Sequence, residues 1–226
     1  MDLLYPERCV NCGAFGASFC DSCEASMLDA PPIPRCAFCR GHWDGKDNCP
    51  RCFELQALDG VRAVADYEGP ARRLVLSLKY RYTLPVVPVM ARHLQPLFDD
   101  EAFDAVVPVP LHPSRQRYRG FNQAELLHRE LGLPQPPGQL LRVRRTRAQY
   151  ALTSVGRAAN VAGAFAYHGD ALEGLRVAIL DDVVTTGATA NECARVLRDQ
   201  GAASVTAVAF ARANYGPTSP DDALHI

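Results

Sequence analysis

The sequence is poor in lysine, in tryptophan and in long apolar stretches. No apolar run approaches the roughly 18 residues that a membrane-spanning helix needs, which argues against membrane insertion. Residues 1–6 lack the basic segment and the apolar stretch of a signal peptide. A formal net charge of -1 gives no information about partners, while a hydrophobic content of 48% in 226 residues supports a real core. We therefore expect a soluble, cytoplasmic protein.

Cysteine is almost absent after residue 53, where only Cys193 remains, and we expect it to be a buried core thiol. The first 52 residues instead carry four CxxC pairs, namely Cys9 and Cys12, Cys20 and Cys23, Cys36 and Cys39, and Cys49 and Cys52. This spacing is typical of a thiolate knuckle that binds a metal, and a tetrahedral Zn²⁺ takes four thiolates. The simplest prediction is two zinc ions, bound by the first two pairs and the last two pairs. An interleaved pairing and an iron–sulfur cluster remain open.

The cysteine-rich segment has little core-forming periodicity and several glycines and prolines. It cannot bury enough apolar surface to fold alone, so we expect metal binding to supply the missing stability. Four thiolates per zinc leave no open coordination position, which favours structural over catalytic metal. We predict a double zinc unit in residues 1–55, an α/β domain in residues 56–213 and a flexible tail in residues 214–226.

The motif in residues 177–189 is the most informative stretch of the chain. Its first four apolar residues predict a buried parallel strand that ends at Asp181 and Asp182 and opens into a crevice. Four small residues follow, namely Thr185, Thr186, Gly187 and Thr189. Backbone N–H groups ahead of a helix favour a phosphate, whereas the two carboxylates suit ribose hydroxyls or Mg²⁺. The motif predicts a site for a sugar diol next to a phosphate; an ordinary strand with a threonine-rich turn is the alternative.

The rest of the chain alternates between strand-like and helical segments. Strands are predicted at residues 58–67, 103–109, 162–167 and 205–211. Helices are predicted at residues 71–80, 85–98, 122–131 and 189–198. This alternation predicts an α/β fold. Lys79, near the end of the first helix, is a candidate phosphate contact, with a solvated helix end as the alternative.

A stiff turn follows the second predicted strand. Pro108 and Pro110 flank Val109, fix the backbone and remove hydrogen-bond donors. Three arginines come next, in what we predict to be a loop, namely Arg115, Arg117 and Arg119. A stiff turn that directs arginines into a crevice predicts a pyrophosphate site, and a solvated basic loop is the alternative. Asn122 is predicted to cap the following helix.

Positive charge is concentrated in residues 112–157, where nine arginines and two acidic residues give a local charge of +7. Such a region attracts polyanions. Four of its arginines lie in a segment without clear periodicity, namely Arg142, Arg144, Arg145 and Arg147. We interpret this segment as a flap that closes over a bound substrate. Tyr118, Phe121 and Tyr150 are interleaved with the arginines and could stack on bases, and packing against the sheet is the alternative.

Residues 177–189 resemble the motif that binds 5-phosphoribosyl 1-diphosphate (PRPP) in type I phosphoribosyltransferases. The resemblance implies that Asp181 and Asp182 contact the ribose hydroxyls. It also implies that a loop binds the 5-phosphate, with the residues Thr185, Thr186, Gly187, Ala188 and Thr189. A Rossmann-like parallel sheet and Mg²⁺ bound together with PRPP are further implications.

The order of motifs along almost the whole chain resembles the ComF family. The motifs are the four CxxC pairs, residues 78–80, residues 108–111, residues 119–123 and the PRPP motif. Between the last two lie seven single positions of the pattern, namely Thr146, Gln149, Leu152, Arg157, Asn160, Gly163 and Phe165. The resemblance implies a double zinc ribbon joined to a type I phosphoribosyltransferase domain. It also implies a link to natural transformation, the uptake of external single-stranded DNA. The expected partners are PRPP, single-stranded DNA and competence or recombination proteins.

The resemblances also imply roles for individual residues. Asp181, Asp182 and Arg119 are the catalytic candidates. The remaining candidates for PRPP binding are Lys79, Val109, Pro110 and Leu111. The turn at Val109 is similar to the pyrophosphate loop of amidophosphoribosyltransferases, although residues 111–112 differ from the acidic residue and serine of those enzymes. The nucleic-acid candidates are Arg115, Arg117, Arg144, Arg145 and Arg147.

Two functions remain open at this point. One is a competence protein that binds PRPP and handles single-stranded DNA through its arginines and zinc ribbons. The other is an active phosphoribosyltransferase of nucleotide metabolism or salvage. In that reaction a nucleophile displaces pyrophosphate from C1 of the ribose, with Mg²⁺ and arginines on the leaving group. No residue set obviously reads a purine or pyrimidine ring, so the base or amine acceptor is unidentified.

Overall fold

The computed structural model describes residues 6–28, 35–40, 49, 52, 55–100, 102–145 and 159–213. Helices in these ranges are α1 (Asp21–Leu28), α2 (Gly69–Arg81), α3 (Val86–Asp99), α4 (Pro113–Arg119), α5 (Gln123–Leu131) and α6 (Ala188–Asp199). Strands are β1 (Gly60–Asp66), β2 (Ala105–Pro108), β3 (Gly138–Arg142), β4 (Phe165–Gly169), β5 (Arg176–Val184) and β6 (Ser204–Arg212). No helix in the described ranges combines the length and apolar character that crossing a membrane requires.

Four parallel strands form the central sheet in the order β1-β6-β5-β2. Successive side chains of β5 point to opposite faces of the sheet, so Val177 and Ile179 belong to one core while Ala178 and Leu180 belong to the other. Burial on both faces explains why this strand is a continuous apolar run in the sequence. The predicted α/β fold class with a parallel sheet is confirmed.

Different elements cover the two faces of the sheet. Helices α2, α3 and α5 pack on one face, and α6 packs on the other together with the β3–β4 pair. In α3, for example, Val86, Met90 and Leu94 are buried and are spaced four residues apart, as expected for one side of a helix. Cysteines of the first two CxxC pairs belong to the core under α2, α3 and α5, and cysteines of the last two pairs belong to the core under α6.

The outer edge of β1 is covered by the segment that carries the third CxxC pair. The N–H of Val61 donates to the carbonyl of Phe38 at 2.8 Å. Arg35 forms an ion pair with Asp66 at the other end of the strand. An uncovered edge strand is a template for pairing with other chains, and this contact removes part of that edge.

Strands β3 and β4 form a separate antiparallel pair, in which Arg142 lies opposite Phe165. The chain between them includes most of the predicted flap, and residues 146–158 lie outside the described residues. The guanidinium of Arg144 donates to the carbonyls of Asn160 at 3.1 Å and Ala162 at 2.6 Å. These hydrogen bonds hold the two ends of the segment close together.

Two local predictions were wrong. Strand β5 does not end at Asp181 and Asp182 but continues to Val184, because it keeps pairing with β6 at its last two residues. The arginines after the Pro-Val-Pro turn lie on helix α4 rather than in a loop. A proline in the first turn and a cap from His112, which accepts from the N–H of Ser114 at 3.2 Å, stabilise the start of this helix.

Candidate functional site

A cavity of about 380 Å³ opens where the parallel strands end. Tyr67 follows β1, Val109 follows β2, and the last residues of β5 complete the wall. Ten of the residues predicted from the sequence line it, namely Lys79, Val109, Leu111, Arg115, Arg119, Asp181, Asp182, Thr185, Gly187 and Thr189. The carboxyl ends of parallel strands are where open α/β sheets bind ligands, so the cavity is the candidate site.

An ion pair between neighbouring elements lies at one wall of the cavity. The ammonium of Lys79, in the last turn of α2, is 2.8 Å from a carboxylate oxygen of Asp182 on β5. Burial alone lowers the pKa of Lys79, but the charges of Asp182 and Asp181 outweigh it and raise the pKa overall. Lys79 is therefore a cation that pairs with the acidic motif, a contact that the sequence did not indicate.

Asp181 differs from its neighbour in its electrostatic surroundings. Burial and the charge of Asp182 raise the pKa of Asp181 to about 8, although Lys79 acts in the opposite direction. Its side chain also accepts a hydrogen bond from the N–H of Asp182 at 2.8 Å. Near neutral pH this carboxyl group holds its proton, and a cation placed beside it would release that proton.

The loop after β5 leads directly into α6. Gly187 precedes the helix with a φ of 86°, in the left-handed region that favours glycine. The N–H of Ala188 donates to the Thr186 hydroxyl at 3.4 Å. Thr185, Gly187 and Thr189 line the cavity, whereas Thr186 and Ala188 do not. The positive end of the α6 dipole is thus directed at the cavity wall, which favours an anion there.

The turn after β2 is held by one buried asparagine. Asn122 caps α5 by accepting from the N–H of Ala124 at 3.1 Å, as predicted. Its amide also donates to the carbonyl of Val109 at 2.9 Å. Val109 and Leu111 line the cavity, and Pro110 does not.

Helix α4 contributes two arginines to the cavity. Arg115 and Arg119 are four residues apart and share the face that lines it, whereas Arg117 is on the exposed face. Partial burial and the nearby arginine charges, that of Arg142 first among them, lower the pKa of His112. A neutral His112 can accept the hydrogen bond that caps α4.

Several cavity residues were not predicted as site residues. Arg142 is one of them: it is buried at the end of β3, with its guanidinium carbon 5.2 Å from the centroid of the Phe165 ring. The sequence placed it in the flap, because nothing in the local pattern shows that β3 ends at the cavity. The others are Tyr67, Leu76, Tyr80, Asn122, Gln123, Val183, Val184 and Ala190.

The predicted nucleic-acid arginines divide into groups. Arg115 lines the cavity, Arg117 and Arg145 are exposed, and Arg147 lies outside the described residues. Arg144 donates to backbone carbonyls at the base of the flap segment. That structural contact uses part of its guanidinium, and a role for Arg144 in nucleic-acid binding stays a prediction.

The eight N-terminal cysteines form two groups of four. In each group the Sγ atoms lie within 4.8 Å of one another, and the groups follow the sequential pairing rather than the interleaved one. The Sγ atoms of Cys36 and Cys52 are 3.4 Å apart, and those of Cys12 and Cys20 are 3.6 Å apart. A tetrahedron with Zn–S bonds of about 2.3 Å has edges of about 3.8 Å. Both groups could therefore hold zinc.

The chain matches no protein-family profile. It is 33% identical to DNA utilization protein YhgH of Salmonella typhi over 199 residues, which cover 82% of this chain and 86% of that protein. It is 28% identical to competence protein F of Haemophilus influenzae over 222 residues, which cover 91% of this chain and 97% of that protein. The chain belongs to the ComF family.

Solved structures that resemble this ComF-family chain are of type I phosphoribosyltransferases and related proteins. One is Mycobacterium tuberculosis orotate phosphoribosyltransferase in complex with PRPP, with a TM-score of 0.34 and 17% identity over 70% of this chain and 71% of that chain. The predicted family is confirmed by the relatives named above together with the two cysteine groups.

In this member of the ComF family the segment of the second cysteine group is connected, through Arg212 and Leu55, to residues 184–187 after the acidic pair, which we call the anion loop. The buried guanidinium of Arg212 donates to the carbonyl of Cys39 at 2.9 Å and to the carbonyl of Val184 at 3.0 Å. Leu55, three residues after the last cysteine of the group, packs on Gly187, where an added Cβ would approach a Leu55 methyl to 2.6 Å. These contacts connect the metal-binding segment to the loop that faces the cavity.

Proposed function

We propose that the cavity binds PRPP together with Mg²⁺. The observation that carries this proposal is the separation of opposite charges around one cavity. The acidic side chains of Asp181 and Asp182, the latter paired with Lys79, are at one wall, and the guanidinium groups of Arg115 and Arg119 are on another element. A ligand that fits this arrangement has, at one end, a diol that can contact the acidic pair directly or through Mg²⁺, and concentrated negative charge at the other end.

Each part of PRPP has a matching group in the cavity. The ribose hydroxyls and Mg²⁺ suit the two carboxylates. Hydroxyl groups donate hydrogen bonds to carboxylate oxygens, and Mg²⁺ prefers oxygen ligands. The 5-phosphate suits the loop residues Thr185, Gly187 and Thr189 at the start of α6. The diphosphate suits Arg115 and Arg119, because guanidinium groups bind phosphate oxygens in a bidentate manner. When bound, Mg²⁺ would neutralise part of the diphosphate charge.

We further propose that the protein handles incoming single-stranded DNA during natural transformation. This part of the proposal is supported by relatives that are named as a competence protein and as a DNA utilization protein. It is also supported by the local charge of +7 in residues 112–157. Binding that rests on arginine and phosphate contacts releases counterions, so we expect the DNA affinity to fall steeply with salt. An affinity that does not change with salt would argue against this mode of binding.

Calorimetric titration of PRPP with Mg²⁺ tests the proposed site. We expect the parent protein to bind and the double variant Asp181→Asn, Asp182→Asn to lose about 100-fold or more in affinity, because two charge-assisted contacts are removed. The chain offers a matched control in Asp99→Asn, Asp100→Asn, an adjacent aspartate pair exposed at the end of α3. Absence of binding by the folded, zinc-loaded parent would overturn the proposal, as would equal losses in both double variants.

A second candidate function is phosphoribosyl transfer itself, and Asp181 favours it. In the ligand-free protein the pKa of Asp181 is raised to about 8, so this carboxyl group can exchange a proton near neutral pH beside the proposed ribose site. In the reaction the lone pair of the acceptor forms a bond to C1, the C1–O bond to the diphosphate breaks, and the proton of the acceptor passes to a base. Release of pyrophosphate, measured with a panel of bases and amines, tests this function. No release with any acceptor, from protein that binds PRPP, would leave the binding function alone.

A further inference from the structure

Helix α4 contributes almost nothing to the core of the protein. None of its seven residues is buried, and its sequence has three arginines and no acidic residue. Arg115 and Arg119 face the cavity, which leaves the exposed face of Gln116, Arg117 and Tyr118 without a packing role. Folding therefore does not explain why a bulky aromatic residue is present on this face.

Exposed aromatic residues are concentrated beside this helix. Tyr118 is 84% exposed, and Tyr80 and Tyr82, at the end of α2, are each 49% exposed. The hydroxyl of Tyr82 donates to the carbonyl of Tyr118 at 3.5 Å, and the Tyr82 ring meets the edge of Phe121 with centroids 5.7 Å apart. We call Tyr80, Tyr82 and Tyr118 the tyrosine platform. Clusters of exposed aromatic side chains are candidates for interaction sites.

The backbone holds the platform in place. Tyr82 has a φ of 55°, a left-handed conformation that is uncommon outside glycine, and its N–H donates to the carbonyl of Ser77 at the end of α2. Unusual backbone conformations of this kind are enriched at functional sites. Tyr80 also lines the cavity, so the platform is continuous with the cavity wall.

The charged side chains of α2 and α4, the helices that carry the platform, are all positive. The guanidinium carbon of Arg119 lies 5.2 Å from the centroid of the Tyr80 ring. Arg81 and Arg117 are exposed neighbours of the platform tyrosines in the sequence. Neither α2 nor α4 contains an acidic residue. Aromatic rings interleaved with cations are complementary to a chain that carries both phosphates and unstacked bases.

We propose that single-stranded DNA binds on the tyrosine platform, with bases stacked on its rings and phosphates near Arg81 and Arg117. This inference rests on the proposed function and names the surface that would carry its DNA-handling part. Base pairs in a duplex already stack on one another, so the platform discriminates in favour of a single strand. It also puts the DNA beside the proposed PRPP cavity rather than on the zinc ribbons.

Fluorescence anisotropy with a labelled oligothymidylate of about 20 nucleotides tests the platform, since one such site covers on the order of 4–16 nucleotides. We expect Tyr118→Ala to weaken binding by about tenfold and Tyr82→Ala, Tyr118→Ala to weaken it further. Tyr118→Phe keeps the stacking surface and should retain the parent affinity. The parent should bind duplex DNA of the same length more weakly than the single strand. Competition with unlabelled RNA shows whether the platform distinguishes ribose from deoxyribose.

A matched control lies in the first zinc ribbon. Phe15 is also an exposed aromatic residue with an arginine over its ring, since the guanidinium carbon of Arg8 is 3.8 Å from the ring centroid. Phe15→Ala should leave the DNA affinity unchanged. If Phe15→Ala loses affinity while Tyr118→Ala does not, the ribbon is the DNA surface and the platform is wrong.

Titration of PRPP into the same variants separates the two proposals. Tyr82 and Tyr118 do not line the cavity, so their alanine variants should bind PRPP like the parent, which also verifies that they fold. DNA binding that is equal in the parent and the tyrosine variants would overturn the platform while leaving the proposed function intact. A parent that binds PRPP but no single-stranded DNA at any salt concentration would overturn both the platform and the DNA part of the proposed function.

Discussion

Gly187 combines two constraints at one residue of the anion loop. Its φ of 86° favours glycine, and an added Cβ would approach a methyl group of Leu55 to 2.6 Å. The glycine therefore permits both the turn into α6 and the close approach of the segment that follows the second cysteine group. The sequence predicted the first requirement from the loop pattern, but it contained no signal for the second.

We expect Gly187→Ala to lower the free energy of unfolding by about 2–4 kcal/mol, the sum of a conformational cost and an overpacking cost. Gly163→Ala is the matched control: Gly163 also has a positive φ, of 65°, but no atom within 4 Å of an added Cβ. Its cost should be only about 1 kcal/mol. Urea denaturation of both variants measures the difference, and equal costs would show that Leu55 moves away without strain.

Adding Leu55→Ala to Gly187→Ala tests the contact directly. The double variant should be less destabilised than the sum of the two single variants, because the shorter side chain removes the clash. Additive effects would contradict the proposed contact.

The charge of Asp181 predicts a pH dependence of stability. Its folded-state pKa of about 8 is above the ordinary value of 3.8, so its favourable contribution is complete below pH 3.8 and is lost as the pH rises through 8. Asp181→Asn removes the charge that this half-buried side chain acquires at high pH, and should stabilise the protein more as the pH rises. We expect a gain on the order of 1 kcal/mol at pH 9, which is about 2–4 °C in Tm.

Thermal melts of the parent and Asp181→Asn between pH 5 and pH 9 measure this effect. Asp99→Asn, on the exposed end of α3, is the control and should show a constant difference from the parent. A constant difference for Asp181→Asn as well would mean that the carboxyl group is already ionised at pH 5 in the folded protein, so that its pKa is not raised.

At the scale of single elements, the Asn122 cap is the contact that connects α5 to the turn after β2. The sequence predicted the cap, and the structure adds the hydrogen bond from its amide to the Val109 carbonyl. By contrast, α4 is not predictable from the local pattern, because two prolines and closely spaced arginines are typical of a loop. The helix forms because His112 caps it and Pro113 fits its first turn.

We expect Asn122→Ala to cost about 2–4 kcal/mol in the free energy of unfolding, since it removes a cap and leaves the buried Val109 carbonyl without this donor. Asn122→Ser keeps an acceptor for the cap but cannot reach the carbonyl, and should cost about half as much. Chemical denaturation of both variants provides the comparison. Equal costs would show that the contact to Val109 contributes nothing.

At the scale of the whole molecule, the two cysteine groups pack against opposite faces of one sheet. The first group joins the core with α2, α3 and α5, and the second joins the core with α6. Among the described residues, the contacts to the anion loop through Arg212 and Leu55 come from the segment of the second group. The groups should therefore differ in their effect on the cavity.

Cys9→Ser and Cys36→Ser test this difference, since each removes one buried thiolate from one group. We expect each variant to lose about one zinc ion by metal analysis, because four thiolates bind one ion. Only Cys36→Ser should weaken the calorimetric affinity for PRPP, by about tenfold, because loss of the second site loosens the loop. Equal effects on PRPP binding in the two variants would contradict the coupling.

The sequence by itself determined the parts of this protein whose signal is local. The CxxC spacing specifies thiolate knuckles, the apolar run of residues 177–180 specifies a strand buried on both faces, and Asp181 with Asp182 marks a polar site near its end. Only the tertiary structure decided which distant residues meet there. Lys79 reaches Asp182, Arg142 enters the cavity and Arg212 connects Cys39 to Val184 because the order of strands and the packing of helices bring them together. Such contacts depend on long-range packing, and short-range periodicity carries no information about them.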